Sequence, residues 1–494
     1  MIANVGIDST IVATTECIFP TPYPPMKISP LLLALAAFTL TVMPTAVAVD
    51  ARDWPRERLL AFAHELADFV FQNHVVTDPD RKTFGMTYEF WKDGKKVQEF
   101  GLDSMHDGAW FMSALVTMQR ADPGGGWLAR AQKFQVPFYT NMLLNSDRLF
   151  PAMKPTDEDR KPFSAPMKGW VPRGWDDGLG FSKNGMKPFT DSYFTGSNHL
   201  AQDLADSLLN VWLTTHDPRV AGALTALRDY KREYFGAIVP VEFGAAAALH
   251  EPLEKFKLPA FSAESLNPYF TGMVQKKKHS IPAYDDGLAW QYREATARGE
   301  VPADFAWHCA ARVFAVVKAM ELFCDTRPWR DGEFFFDIAR QPSFVDGKLE
   351  PTAATSKHIW GARGVQLAWI GAAVLPTIKA HPEVWAKLAP KELATENVPA
   401  RLEQLALGSV DYWHEVWKQA GVIPSGWHRD DVKAGGWTLS DAGNYAHLLH
   451  CIAFILIDRD GKSEWQIIES QKPAQPIPSE PLPEGALKSQ GMRN

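Results

Sequence analysis

Phe189-Thr-Asp-Ser-Tyr-Phe-Thr-Gly-Ser-Asn-His-Leu-Ala-Gln-Asp-Leu-Ala-Asp-Ser-Leu-Leu-Asn-Val-Trp212 passes from a polar, aromatic loop into an amphipathic helix. Leu200, Ala201, Leu204, Ala205, Leu208, Val211 and Trp212 recur at three- and four-residue steps, which puts them on one helical face. Ser197 precedes the periodic run, and its hydroxyl can accept a free N–H of the first turn. Asn198 and His199 then sit on that turn, where the helix end is electropositive and its N–H groups are unpaired. That position suits a bound carboxylate. The plainer alternative is that the two residues only cap the helix.

The same pattern recurs. Gly101-Leu-Asp-Ser-Met-His106-Asp107-Gly108 leads into an apolar helix at Ala109–Met118. Ser356-Lys-His358-Ile-Trp-Gly-Ala-Arg363-Gly364 leads into Val365–Leu375, and Leu439-Ser440-Asp441-Ala-Gly-Asn444-Tyr445 into a helix carrying Leu448, Leu449 and Ile452–Leu456. If these helices are parallel neighbours, their polar starts meet at one end and floor a cleft.

The chain has 494 residues, 46% hydrophobic and 22% charged, ample for a large core. No linker stands out between Asp50 and Gly461, so one large domain is expected over 49–468. Met26-Lys27, the apolar run from Leu31 and Ala46-Val47-Ala48 have the form of a secretory signal peptide over 1–48, with 1–25 an upstream mis-start. This predicts an exported protein, periplasmic or extracellular, with no membrane insertion once the signal is removed. Removing 1–48 takes away Asp8, Glu16 and Lys27, so the formal charge moves from −7 to −6. A mildly acidic chain is not expected to bind nucleic acid, and an anionic substrate would need a local cluster of Arg, Lys and His. The remaining Cys309, Cys324 and Cys451 allow at most one disulfide.

Further helices are expected at Arg56–Asn73, at Trp127–Leu144 with an interruption at Pro137, and at Asp217–Phe235, Pro302–Phe323 and Arg401–Gln419. Asp93-Gly94 between aromatic stretches predicts a small hairpin. The segment 145–196, rich in Pro, Gly and aromatics, reads as a functional loop or lid and carries Trp170, Arg173, Trp175, Asp176 and Asp177. The Pro-rich tail at 469–494 reads as disordered. Eleven to thirteen helices by this count, with little strand signal, give an all-α fold. An (α/α)6 or (α/α)7 toroid with long loops at one end accommodates them best.

No Walker loop, dinucleotide-binding glycine pattern, His-Glu-x-x-His or Cys-x-x-Cys occurs. His447 and His450 lie a turn apart on an apolar helix and read as core histidines rather than metal ligands. The 18 Trp and 11 Tyr offer flat faces for sugar rings.

An exported helical ring with Asn-His on one helix start and Tyr and Arg on another resembles the alpha/alpha-toroid polysaccharide lyases, such as the glucuronan and alginate lyases. The resemblance is architectural and covers about residues 55–460. It implies that Asn198 and His199 neutralise the uronate carboxylate and so acidify the C5 proton. Tyr292 or Tyr284 would act as base and acid, with Arg293 supporting the tyrosinate. His106, Arg173, Trp175, His358 and Arg363 would line the subsites. The scheme requires no cofactor and no metal, and the partner is an anionic polysaccharide. It leaves the oligomeric state open.

Two other readings stand beside it. Trp175-Asp176-Asp177-Gly178-Leu179 and Tyr284-Asp285-Asp286-Gly287-Leu288 repeat one setting, and with Asp103 and Asp107 they resemble the paired acids of unsaturated-glucuronyl hydrolases. The plainer reading of Asp-Asp-Gly is a turn. A non-catalytic exported glycan-binding protein is the third.

Overall fold

Every residue of Ala442–Ile457 is buried, so this helix has no solvent face. A helix apolar nearly all round belongs at the centre of a large core, and the helices at 56–73, 104–121 and 398–420 pack directly on it. The computed structural model describes residues 54–88, 90–92, 95–96, 104–150, 168–171, 198–235, 343–345, 348–350, 358–360, 372, 375–376, 379, 397–423, 426–428, 440–462 and 464–492. The chain divides into two units, Met1–Asp50 and Ala51–Asn494, and all of the described residues lie in the second.

In chain order these residues form α1 (Arg56–Asn73), β1 (Phe90–Lys92), β2 (Lys95–Lys96), α2 (Ser104–Ala121), α3 (Trp127–Lys133), α4 (Gln135–Leu144) and α5 (Ser146–Leu149). Next come α6 (Asn198–Thr215), α7 (Pro218–Phe235), β3 (Ser343–Val345), β4 (Lys348–Glu350), β5 (His358–Trp360), α8 (Val398–Ala420) and β6 (Gly426–His428). The last are β7 (Ser440–Asp441), α9 (Ala442–Arg459), α10 (Glu464–Ser470) and α11 (Glu484–Ser489). Helix dominates. The strands are two or three residues long and form small antiparallel sheets, β2-β1-β7, β3-β4 and β5-β6.

Local chemistry accounts for several boundaries. The expected Trp127–Leu144 helix breaks at Phe134. Pro137 has no N–H to offer and its ring crowds the carbonyl four residues back, that of Lys133, where α3 ends. Lys92 pairs with Lys95 and Trp91 with Lys96, as the expected hairpin requires; Asp93 and Gly94 themselves lie outside the described residues. Asp441 caps α9, its Oδ1 accepting the Asn444 N–H at 2.9 Å.

α2 packs against both α9 and α6. Near the helix starts, Gly443 of α9 touches Asp107 of α2, and the Trp110 and His447 rings lie 4.7 Å apart. At the far end, Arg120 of α2 reaches Glu464, just beyond α9. α2 and α9 are therefore parallel. α6 follows the same direction: Asn210 donates to Ser113 and Thr117, and Thr214, one turn later, accepts from Arg120. α1 runs the other way along α9, its Arg56 paired with Asp460 and its Phe69 stacked on Tyr445. α8 is also reversed, with Ala406 O facing Cys451 Sγ and Ile423 beyond its end donating to Tyr445.

The tail departs from expectation. Residues 471–492 are not a disordered extension but an ordered strap. Ile477 N donates to Thr215 O at 2.8 Å and Ser479 N to Asp217 Oδ2 at 2.8 Å. Leu482 and Ala486 are buried against Phe84. Prolines in this segment remove backbone donors, but the N–H groups of Ile477, Ser479 and Glu480 find acceptors on the folded body.

Candidate functional site

Because α2, α6 and α9 are parallel, their N-terminal turns lie toward one end of the molecule. Peptide dipoles add up along each helix and leave the N-terminal turn partly positive, with N–H groups to spare. Asn198 and His199 are the first two residues of α6, and His106 lies on the first turn of α2. The backbone thus puts these three expected residues at the starts of neighbouring parallel helices. His358 opens β5 and pairs with His428 of β6. Arg173, Trp175, Tyr284, Tyr292, Arg293 and Arg363 lie outside the described residues.

The side chains described at this end form a dense polar group. Asp107, only 4% exposed, sits in the first turn of α2. Gly443 of α9 abuts it so closely that a Cβ there would come within 2.6 Å of Asp107 Oδ1. The next residue, Gly108, faces α4, and a Cβ at Gly108 would lie 2.1 Å from the Tyr139 hydroxyl and 2.7 Å from Thr87 Cβ. Two helix glycines therefore let the acid and the phenol approach the starts of α2 and α9.

Burial, and then the charge of Asp107, push the Tyr139 phenol far above its ordinary value, with the Thr87 hydroxyl acting weakly the other way. The Tyr139 phenol therefore stays protonated near neutral pH. Tyr445 is held protonated as well, chiefly by burial, against the opposing pull of the Ile423 N–H and the Ser440 hydroxyl. Burial thus keeps both phenols in their neutral form.

His74 is fully buried behind β7. Its Nδ1 lies 2.8 Å from Tyr88 O, a group that can only accept, so Nδ1 carries the proton. In the neutral ring, Nε2 then accepts from the Ser440 hydroxyl at 3.0 Å. This pins the entry to α9. Nearby Arg81 donates to the Tyr88 hydroxyl at 3.2 Å. Trp110 is half-buried on α2, with its ring against that of buried His447. An indole held in this way offers a firm flat surface.

Sequence reasoning passed over Tyr139, Thr87 and His74. Gly108 was the available signal, since a glycine in the first turns of an apolar helix marks a close approach. Trp170, expected in a loop or lid, is instead buried, edge-on to Phe150, with its carbonyl accepting from Ser146.

Among the described residues no three His, Cys, Asp or Glu side chains gather closely enough to hold a metal ion. Among them also, no helix is long and apolar enough to cross a membrane. No protein-family model matches this chain, and neither a curated protein nor a solved structure matches it.

Proposed function

We propose that this chain is an exported polysaccharide lyase that cleaves a uronic-acid-containing polysaccharide, of glucuronan or alginate type, by metal-independent β-elimination. The reading rests on one observation: α2, α6 and α9 run parallel, so Asn198, His199 and His106 belong to helix starts that share an end. Helix starts stabilise anions. In the proposed scheme Asn198 and His199 bind the uronate carboxylate, and Tyr284 or Tyr292, with Arg293, moves the proton. His106, Arg173, Trp175, His358 and Arg363 contact the neighbouring sugars. The fold proposed for the whole domain is an (α/α)6 or (α/α)7 toroid, of which the parallel helices and their reversed partners would be an arc.

The test is incubation of residues 49–494 with a panel of uronate polysaccharides, followed in the ultraviolet and by reducing-end assay. A lyase raises both signals, because each cut leaves an unsaturated uronate.

A second reading, a hydrolase of the unsaturated-glucuronyl type, is favoured by Asp107, a buried carboxylate in the first turn of α2. It predicts new reducing ends without ultraviolet gain. If neither signal appears but the polymer is retained, the chain is a glycan-binding protein.

A further inference from the structure

The most extended feature outside the candidate site is the C-terminal strap. It is anchored at two places. At the first, Thr215 O accepts from Ile477 N, and Asp217, 1% exposed, uses Oδ1 to hold Arg219 N at 2.8 Å and Oδ2 to hold Ser479 N at 2.8 Å. Gln132 of α3 joins this anchor, accepting from Glu480 N and donating to Ile477 O.

The second anchor is α11 and the residue after it. Leu482 and Ala486 cover Phe84, with Phe134 packed alongside. Ser489 Oγ donates to Asp80 O at 2.6 Å and Gln490 Nε2 to Lys82 O at 2.7 Å. Gln490 Oε1 accepts from Asn141 Nδ2 at 2.9 Å.

Asn141 lies two residues from Tyr139 on α4. Two residues on a helix differ by about 200°, so they point to opposite sides. Tyr139 faces Gly108 of α2 and Asn141 faces the strap. α4 is therefore held between α2 and the tail, and the loop that carries Thr87 is tied down by the same Gln490.

We propose that residues 477–492 are a positioning strap: by gripping Asn141 and the 80–84 loop from outside, they press α4 inward and keep Tyr139 seated on the first turn of α2. Gln490 is the positioning residue, because its one side chain bonds both α4 and the loop. This does not depend on which reaction the site performs.

Hydrogen–deuterium exchange on the full chain tests it. Gln490→Ala removes two hydrogen bonds, enough to speed local opening by roughly tenfold or more. The expected result is faster exchange in residues 135–144 and 104–110, with residues 398–420 unchanged. Gln490→Glu keeps the acceptor for Asn141 and loses the donor to Lys82, so it should fall between the two. Acceleration confined to residues 477–492, uniform acceleration across the chain, or no acceleration in 135–144 would each overturn the proposal.

Discussion

Arg120 and Glu464 meet at 2.5 Å, with side chains 1% and 2% exposed, where the far ends of α2, α6 and the segment after α9 come together. Arg120 also donates to Asn210 O at 3.1 Å and to Thr214 Oγ1 at 2.8 Å. One guanidinium thus ties α2 to α6 and to the start of α10, at the end opposite the polar starts of the parallel helices. Removing one partner would strand a buried charge, so Arg120→Met should destabilise by about 3–5 kcal/mol. The double variant Arg120→Met with Glu464→Leu should recover most of that loss. Urea denaturation of the three proteins checks both statements.

Gly108→Ala tests the approach of α4 to α2. Alanine favours a helix over glycine by about 1 kcal/mol, but the added Cβ would lie 2.1 Å from the Tyr139 hydroxyl. The clash should win, with a net loss of about 2 kcal/mol. Tyr139→Phe removes the oxygen, so the two changes together should cost less than their sum. A double-mutant cycle by chemical denaturation should give a coupling of about 1 kcal/mol.

Asp441→Ala removes the carboxylate that caps α9 at Asn444 N. The expected loss is about 1 kcal/mol, and Asp441→Asn should retain most of the stability. Thermal unfolding of the two variants separates the hydrogen bond from the charge.

These features differ in how far the sequence disclosed them. Arg56–Asn73 and the polar entry to the last long helix, at 439–445, were legible because both signals are local: a 3.6-residue period, and short polar residues with a glycine just ahead of an apolar run. The order of the tail was not legible. Its composition is that of a segment unable to bury itself, whereas its partners are Thr215, Asp217, Gln132 and Asn141, far away in the chain. The same holds at the candidate site. Asn198, His199 and His106 could be proposed from helix-start patterns, but Tyr139 and His74 reach the same end from other segments, and only the packing reveals it.

His414 gives a pH dependence. Burial, then the charges of Arg58 and Lys418, lower its pKa from the ordinary 6.5, opposed by Glu65 and Asp411. The ring lies edge-on to Trp54 and Phe62 at 4.9 and 4.8 Å. Because the unfolded chain takes up this proton more readily, stability should be full above 6.5 and fall as pH drops below it toward the folded-state value. His414→Gln should flatten that part of the profile. Denaturant midpoints measured between about pH 7 and pH 5 provide the check.

The central claim is that the shared end of α2, α6 and α9 handles an acidic sugar by elimination. The most direct measurement is the ultraviolet absorbance of unsaturated uronate during incubation of residues 49–494 with glucuronan or alginate, with and without chelator, beside Asn198→Ala and Tyr292→Phe. The account predicts a rising signal that survives chelation and falls by about a hundredfold or more in either variant. Reducing ends without that absorbance, or a signal abolished by chelator, would contradict it.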